Sequence, residues 1–196
     1  NNITYQSQND LTKIDILTPH VERMKNINKS IFYLRNTGIY KLGNIIFYHT
    51  SVFDIDKINR PKQYTERLKY LQKRVTEYHE CKHIGILHCG IESNVTSSGY
   101  LLNNYAYKLS DLKQYDLVLL GDTHEHQFLG IDNRIAYPSS LIQQSHGETL
   151  DSHGYILWNL QKLNGKFINI PNNYGFVTIK NIEDIDSIQF PHKSRI

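Results

Sequence analysis

Asp122, His124 and His126 stand at every second position directly after an apolar run that ends in glycine, within Asp116-Leu-Val-Leu-Leu-Gly-Asp-Thr-His-Glu-His-Gln127. A carboxylate beside imidazoles is a mixed oxygen and nitrogen donor set, which suits Mn²⁺, Fe or Zn²⁺ better than a metal that prefers soft thiolates. Such a centre activates water and neutralises charge on a phosphoryl oxygen, and two ions about 3.5–4 Å apart clamp the attacking and leaving oxygens. A fourth candidate ligand, His88, closes a second apolar run that begins at Ile84. Each residue alone has a plainer explanation. His88 can be a strand-end histidine bonded to a neighbour, Asp122 can cap the turn after Gly121, and His124 and His126 can be ordinary loop residues. Convergence favours a site: if the two apolar runs are neighbouring strands, their ends lie about 5 Å apart.

The elements that must position these residues read as a short-stranded α/β chain. Strands expose side chains alternately, so a chain that stays extended past Gly121 points Asp122, His124 and His126 the same way. Cys89 then faces away from His88 and reads as packing. Upstream, Gly43-Asn44 is a turn between Ile39–Leu42 and Ile45–Tyr48, Ile31–Leu34 is strand-like, and Lys13–Asn26 has helical spacing with Thr18 as cap before Pro19. Pro61–Glu80 is the clearest helix, with Tyr64, Leu68, Leu71, Val75 and Tyr78 on one face. Its Lys62, Arg67, Lys69, Lys73 and Arg74 read as a solvated face rather than a DNA-tracking stripe, because glutamates are interspersed. A polar loop at Glu92–Asn104 and a helical turn at Ser110–Lys113 precede the strand Leu117–Leu120. Short strands follow at Phe128–Ile131, Ile135–Tyr137, Gly154–Leu160, Phe167–Ile170 and Phe176–Ile179, with turns at Asp132-Asn133 and Asn164-Gly165. Sites in open α/β sheets form at the C-terminal ends of strands, which is where His88 and Asp122 fall.

A chain of 196 residues is one domain by default and long enough to bury a core. A formal charge of +3 permits a nucleic-acid partner without arguing for one. Two cysteines, Cys81 and Cys89, form neither a disulfide framework nor a zinc pair. No run approaches the ~18 apolar residues of a membrane span, and no signal peptide opens the chain. A reduced, intracellular home without membrane partners is expected, in the cytoplasm or at a viral replication site. Because the first residue is Asn1, the chain is expected to be cut, processed or excerpted.

The spacing of His88, Gly121, Asp122 and His124 resembles the second half of a calcineurin-like metallophosphoesterase, which closes a two-metal site with a lone histidine and then a Gly-His-x-His turn. Ala136-Tyr-Pro-Ser-Ser-Leu-Ile-Gln-Gln-Ser-His-Gly-Glu148 and His153-Gly-Tyr-Ile-Leu-Trp-Asn-Leu160 are similar to segments of SbcD-type DNA repair exonucleases. Ile170-Pro-Asn-Asn-Tyr-Gly-Phe-Val-Thr-Ile179 adds a likeness to the branch carried by large DNA viruses and phages, whose metal turn often reads Gly-Asp-x-His-x-His-Gln, as here. The likeness runs from about Ile14 to Ile179.

That resemblance implies a four-layer αββα sandwich, of which this chain is the C-terminal part. Residues 1–182 would form the domain, lacking its N-terminal metal-binding half, and 183–196 a tail leading to an absent segment. By position, His88 would bind the second ion and His124 the first. Asp122 stands where the family has a histidine ligand, and His126 is the alternative ligand or a substrate contact. Ser140 and the neighbouring Gly147-Glu148 would shape the site's edge without direct chemistry, with Ser140 a candidate substrate contact. The family's upstream Asp-x-His and Gly-Asp motifs are not found before residue 88. Asn1-Asn2-Ile3 falls near where Asn-His-Asp is expected, so Asn1 is a candidate ligand and Asn2 replaces the catalytic histidine. The implied cofactor is two divalent ions, Mn²⁺ first, with Mg²⁺, Fe or Zn²⁺ as alternatives.

The implied activity is DNA exo/endonuclease cleavage of phosphodiesters in double-strand-break processing, with DNA and an SbcC-type ATPase as partners and a homodimer as a further expectation. An exposed sheet edge should then seek the missing strands. A phosphatase or nucleotide phosphodiesterase on the same scaffold is one alternative, since fold does not fix substrate. A non-catalytic subunit that binds DNA or the ATPase is the other, and the isolated chain is expected to show little hydrolysis.

Overall fold

The computed structural model describes residues 4–5, 14–15, 17–27, 31–51, 66, 69, 73, 76–96, 99–103, 105–188 and 190–195. Its centre is a six-stranded mixed sheet, built from β3 (Gly38–Leu42), β4 (Ile45–His49), β5 (Lys82–His88), β6 (Leu117–Gly121), β7 (Gln127–Leu129) and β8 (Ile135–Tyr137), in the order β3-β4-β5-β6-β8-β7. The inner strands β4, β5, β6 and β8 run parallel, and β3 and β7 lie antiparallel at the two edges. Strands of a parallel sheet are covered on both faces, so they read as nearly unbroken apolar runs. Ile84-Gly-Ile-Leu and Leu117-Val-Leu-Leu are such runs. The core around them gathers Ile46, Tyr48, Leu87, Ile91, Leu112, Tyr115, Val118, Leu120 and Tyr137.

The tight turn of the β3–β4 hairpin falls at Gly43-Asn44, where Gly43 takes φ +58°, a left-handed conformation that costs a glycine little. Outside the main sheet, β1 (Thr4–Tyr5) pairs with β2 (Ile14–Asp15), β9 (Gly154–Asn159) pairs with β10 (Asn164–Asn169), and β11 (Tyr174–Phe176) pairs in parallel with β12 (Lys193–Arg195). The tail expected to begin at 183 therefore holds a 3₁₀ turn at Ile182–Ser187 and a paired strand. Two further 3₁₀ and α elements flank the sheet: a 3₁₀ turn at Leu109–Leu112, one residue from its expected place, and α2 (Thr76–His79).

Four expectations are corrected. Ile31–Leu34 is not a strand: among the described residues no sheet ladder includes it. Ile14 belongs to β2, and α1 (Leu17–Ile27) already includes Thr18 and Pro19, so Thr18 does not cap it from outside. The β9–β10 turn falls at Leu160–Leu163, not Asn164-Gly165: the Asn159 side-chain oxygen accepts from the Gln161 and Lys162 N–H groups at 3.0 and 2.9 Å, an Asx turn. The last short strand is Tyr174–Phe176 rather than Phe176–Ile179. Of the helix expected at Pro61–Glu80, Glu66, Lys69 and Lys73 are helical and exposed, and Tyr78 packs against the core. Its Lys62, Tyr64, Arg67, Leu68, Leu71, Arg74 and Val75 lie outside the described residues. No helix among the described residues is long and apolar enough to cross a membrane.

Candidate functional site

Parallel pairing of β5 with β6 sets His88 directly across from Gly121. A methyl group at Gly121 would lie 2.6 Å from His88 Nδ1, so the absent side chain is what lets the imidazole lie over the strand end. The next residue, Asp122, takes φ +93°, a region that disfavours side chains. That bend turns its carboxylate back toward β5, with Oδ1 3.7 Å from His88 Nε2, and the two side chains are 55 % and 54 % exposed. At 3.7 Å the pair is too far apart for a direct hydrogen bond. Two donors sharing one cation at ~2.1 Å bonds stand about 3–3.5 Å apart. His88 and Asp122 therefore fit a shared ion with a small adjustment.

Gly121→Ala follows as a test. The half-exposed His88 ring can swing away, so stability should change by no more than about 1 kcal/mol, while the His88–Asp122 approach is lost. Urea unfolding and Mn²⁺ titration of the variant measure both. Unchanged Mn²⁺ affinity would show that this approach holds no ion.

The alternation of Asp122, His124 and His126 does not survive folding. The strand stops at Gly121 and Asp122 leaves the extended region, so the three side chains take separate directions. His124 turns to Glu148, with Nδ1 3.0 Å from Oε1. His126 Nδ1 donates to the Tyr137 carbonyl at 3.1 Å, and its ring stacks on Phe167 with centroids 3.9 Å apart. Phe128 meets the edges of both His126 and Trp158, so this histidine sits in a wall joining β7 to the β9–β10 hairpin.

Glu148 is the structural surprise of the site. Its side chain is 4 % exposed, yet burial, which alone would raise its pKa, is outweighed by hydrogen bonds from His124, the Gln144 N–H and Ser140. Its carboxyl is thereby held below the usual glutamate range. Ser140, expected to contact substrate, is itself buried, with its hydroxyl 3.0 Å from both Glu148 Oε2 and His153 Nδ1. The structure places it behind the carboxylate. The Ser145-His-Gly-Glu148 spacing, in which Ser145 Oγ reaches Glu148 Oε1 at 3.3 Å, was a local signal of this turn.

Sequence reasoning also missed the clamp that holds the turn after Gly121. Gln127 presents its amide to Val95 as a strand would, donating Nε2 to the Val95 carbonyl at 2.8 Å and accepting from the Val95 N–H at 2.9 Å. Fully buried Asn94 accepts from Gln127 and donates to Thr123 Oγ1 at 2.6 Å. Burial, helped by the charge of Asp122, pushes the Cys89 thiol up to about 12, so Cys89 stays protonated at neutral pH and packs on the core.

Among the described residues, no three His, Cys, Asp or Glu side chains gather closely enough to hold an ion. Asn1 and Asn2 lie outside the described residues. Two cavities of ≈ 310 and ≈ 390 Å³ lie elsewhere, the second at the N-terminal ends of β5 and β6, and neither is lined by His88, Asp122 or His124. The candidate site is an open strand-end surface rather than an enclosed pocket.

No family model matches this chain. It is similar to an uncharacterized protein of Acanthamoeba polyphaga mimivirus, 34 % identical over 185 residues that cover 94 % of this chain. The chain spans 13 % of the length of that relative.

Proposed function

We propose that this chain is the C-terminal part of a calcineurin-like metallophosphoesterase domain of SbcD type, a four-layer αββα sandwich whose activity is divalent-metal-dependent hydrolysis of DNA phosphodiesters. The observation that carries the reading is the approach of Asp122 to His88 at 3.7 Å across the ends of two parallel strands, made possible by Gly121 and by the bent backbone at Asp122. His88 and Asp122 would hold one ion and His124 the other, with Asn1 as a further donor and His126 as the alternative ligand. Bound there, divalent ions, Mn²⁺ first, would activate water and neutralise phosphoryl charge. The chain's own side chains bind and orient: Glu148 holds His124, and the Asn94–Gln127 clamp holds the turn that carries it.

The half-exposed His88–Asp122 pair supports a polymeric substrate over a small one, since small-molecule sites enclose most of their ligand. DNA is the proposed substrate and an SbcC-type ATPase the proposed partner, with a homodimer as the proposed assembly. The test uses the protein at its full natural length with Mn²⁺, on linear DNA and on nitrophenyl phosphoesters. Cleavage of DNA ends supports the nuclease reading, and cleavage of small esters alone transfers the reading to a phosphatase. A non-catalytic, DNA- or ATPase-binding subunit is the second reading. It is favoured by the lack of a three-ligand group among the described residues and by Asn2 at the position of the proton donor. DNA binding without hydrolysis of either substrate would select it.

A further inference from the structure

We infer that Glu148, backed by Ser140, is the positioning residue that fixes the tautomer and ring plane of His124. The functional consequence of this assignment rests on the reading of His124 as a metal ligand, but the assignment itself rests on hydrogen-bond chemistry. An ionised carboxylate only accepts, so the His124 nitrogen 3.0 Å from Glu148 Oε1 must carry the proton. Neutral imidazole has one N–H, and with it on Nδ1 the lone pair sits on Nε2, the nitrogen at the far side of the ring. Metal-binding histidines are held in this way, with the other ring nitrogen bonded to a carboxylate or carbonyl.

The carboxylate is itself held on every side. Oε1 receives His124 and Ser145 Oγ, and Oε2 receives Ser140 Oγ at 3.0 Å and the Gln144 N–H at 3.1 Å. Behind Ser140 stands buried His153, whose Nε2 is 2.8 Å from the Thr149 carbonyl, an obligate acceptor. That contact puts a proton on His153 Nε2, while Nδ1 lies 3.2 Å from the Ser140 carbonyl and 3.0 Å from its hydroxyl. Ser140 donates its one proton to Glu148 Oε2 at 3.0 Å, and Ser139 Oγ donates to the Ser140 carbonyl at 3.0 Å. The Gln143 side chain completes the cradle by donating to the Glu148 backbone carbonyl at 2.8 Å. The donors that converge on Glu148, from His124, Ser145, Ser140 and the Gln144 N–H, thus all point toward the carboxylate.

Glu148→Gln separates positioning from mere packing, because it keeps the shape and changes the donors. The Gln144 N–H cannot do other than donate, and with Ser140 it fixes the new amide oxygen at the Oε2 position. The amide NH₂ then faces His124 Nδ1, which can only accept, so the His124 proton must move to Nε2. The experiment is nitrogen-15 NMR of selectively labelled histidine rings in the protein at its full natural length, wild type and variant, without and with excess Mn²⁺. The expected result is an Nδ1–H tautomer in wild type, an Nε2–H tautomer in Glu148→Gln, and Mn²⁺ affinity lowered about 10–100-fold. A wild-type His124 protonated on Nε2, or a variant that keeps the wild-type tautomer, overturns the inference. Should the variant not fold, the wild-type tautomer decides. The two readings fail separately: if the tautomers switch as stated and Mn²⁺ broadens neither the His88 nor the His124 ring signals, Glu148 keeps its role and the metal reading falls.

Discussion

Replacing His124 with alanine is expected to lower Mn²⁺-dependent DNA cleavage by the full-length natural protein by more than about a hundredfold. The estimate starts from the 10–100-fold loss typical when an outer partner of a metal ligand is removed, which loss of the ligand itself should exceed. His126→Ala is the informative companion. Its ring lies against Phe167 and Phe128, and its Nδ1–H is held by Tyr137. Its removal should destabilise the β7 to β9–β10 contact by about 1–2 kcal/mol and change cleavage far less. Initial rates at saturating Mn²⁺, beside urea unfolding of each variant, make the comparison. A His124→Ala protein that cuts DNA at the wild-type rate would remove this histidine from the site. A His126→Ala protein that loses all activity while keeping its stability would give His126 the ligand role instead.

Glu148→Ala is expected to destabilise the fold by about 3–5 kcal/mol. Removing one member of a buried charged network strands its partners, and here the Gln144 N–H, Ser140 Oγ and His124 Nδ1 each lose the carboxylate that accepts from them. The pH dependence has a definite sign. The folded pKa of Glu148 is depressed, so its contribution is fully present above the unfolded value near about 4.3 and is lost as pH falls through the lower folded value. Urea midpoints measured from neutral pH down through this window should fall for wild type. The share due to Glu148 should be missing from the alanine variant. Equal midpoints for the two proteins at neutral pH would contradict the network's importance.

Strand existence was legible because burial on both faces leaves an unbroken apolar run, and both Ile84–Leu87 and Leu117–Leu120 are pieces of central parallel strands. Their adjacency, inferred from the ligands at their ends, holds in register from Ile84↔Leu117 to His88↔Gly121. The direction of the ligands was not legible. Alternation applies only while the backbone stays extended, and nothing in the residue type announces φ +93° at an aspartate. Asn164-Gly165 had the composition of a turn, but Asn159 offered a side-chain acceptor earlier in the chain and the turn formed there. The contact between His124 and Glu148, 24 residues apart, depends on how the loop from Ser139 to Ser152 folds back, which no local pattern encodes. The alternating motif assumed an extended backbone, and the bend at Asp122 sends its three side chains apart.

The bend at Asp122 has an evolutionary corollary. Glycine at φ +93° would be more comfortable by about 1–2 kcal/mol, so Asp122→Gly should raise the melting temperature while removing the carboxylate beside His88. Laboratory selection for heat tolerance would then enrich the change that removes a proposed metal ligand, and on that reading its hardiest descendants would be its least competent. Persistence of aspartate under such selection, with no gain in melting temperature for the glycine variant, would mean that the loop carries no such tension.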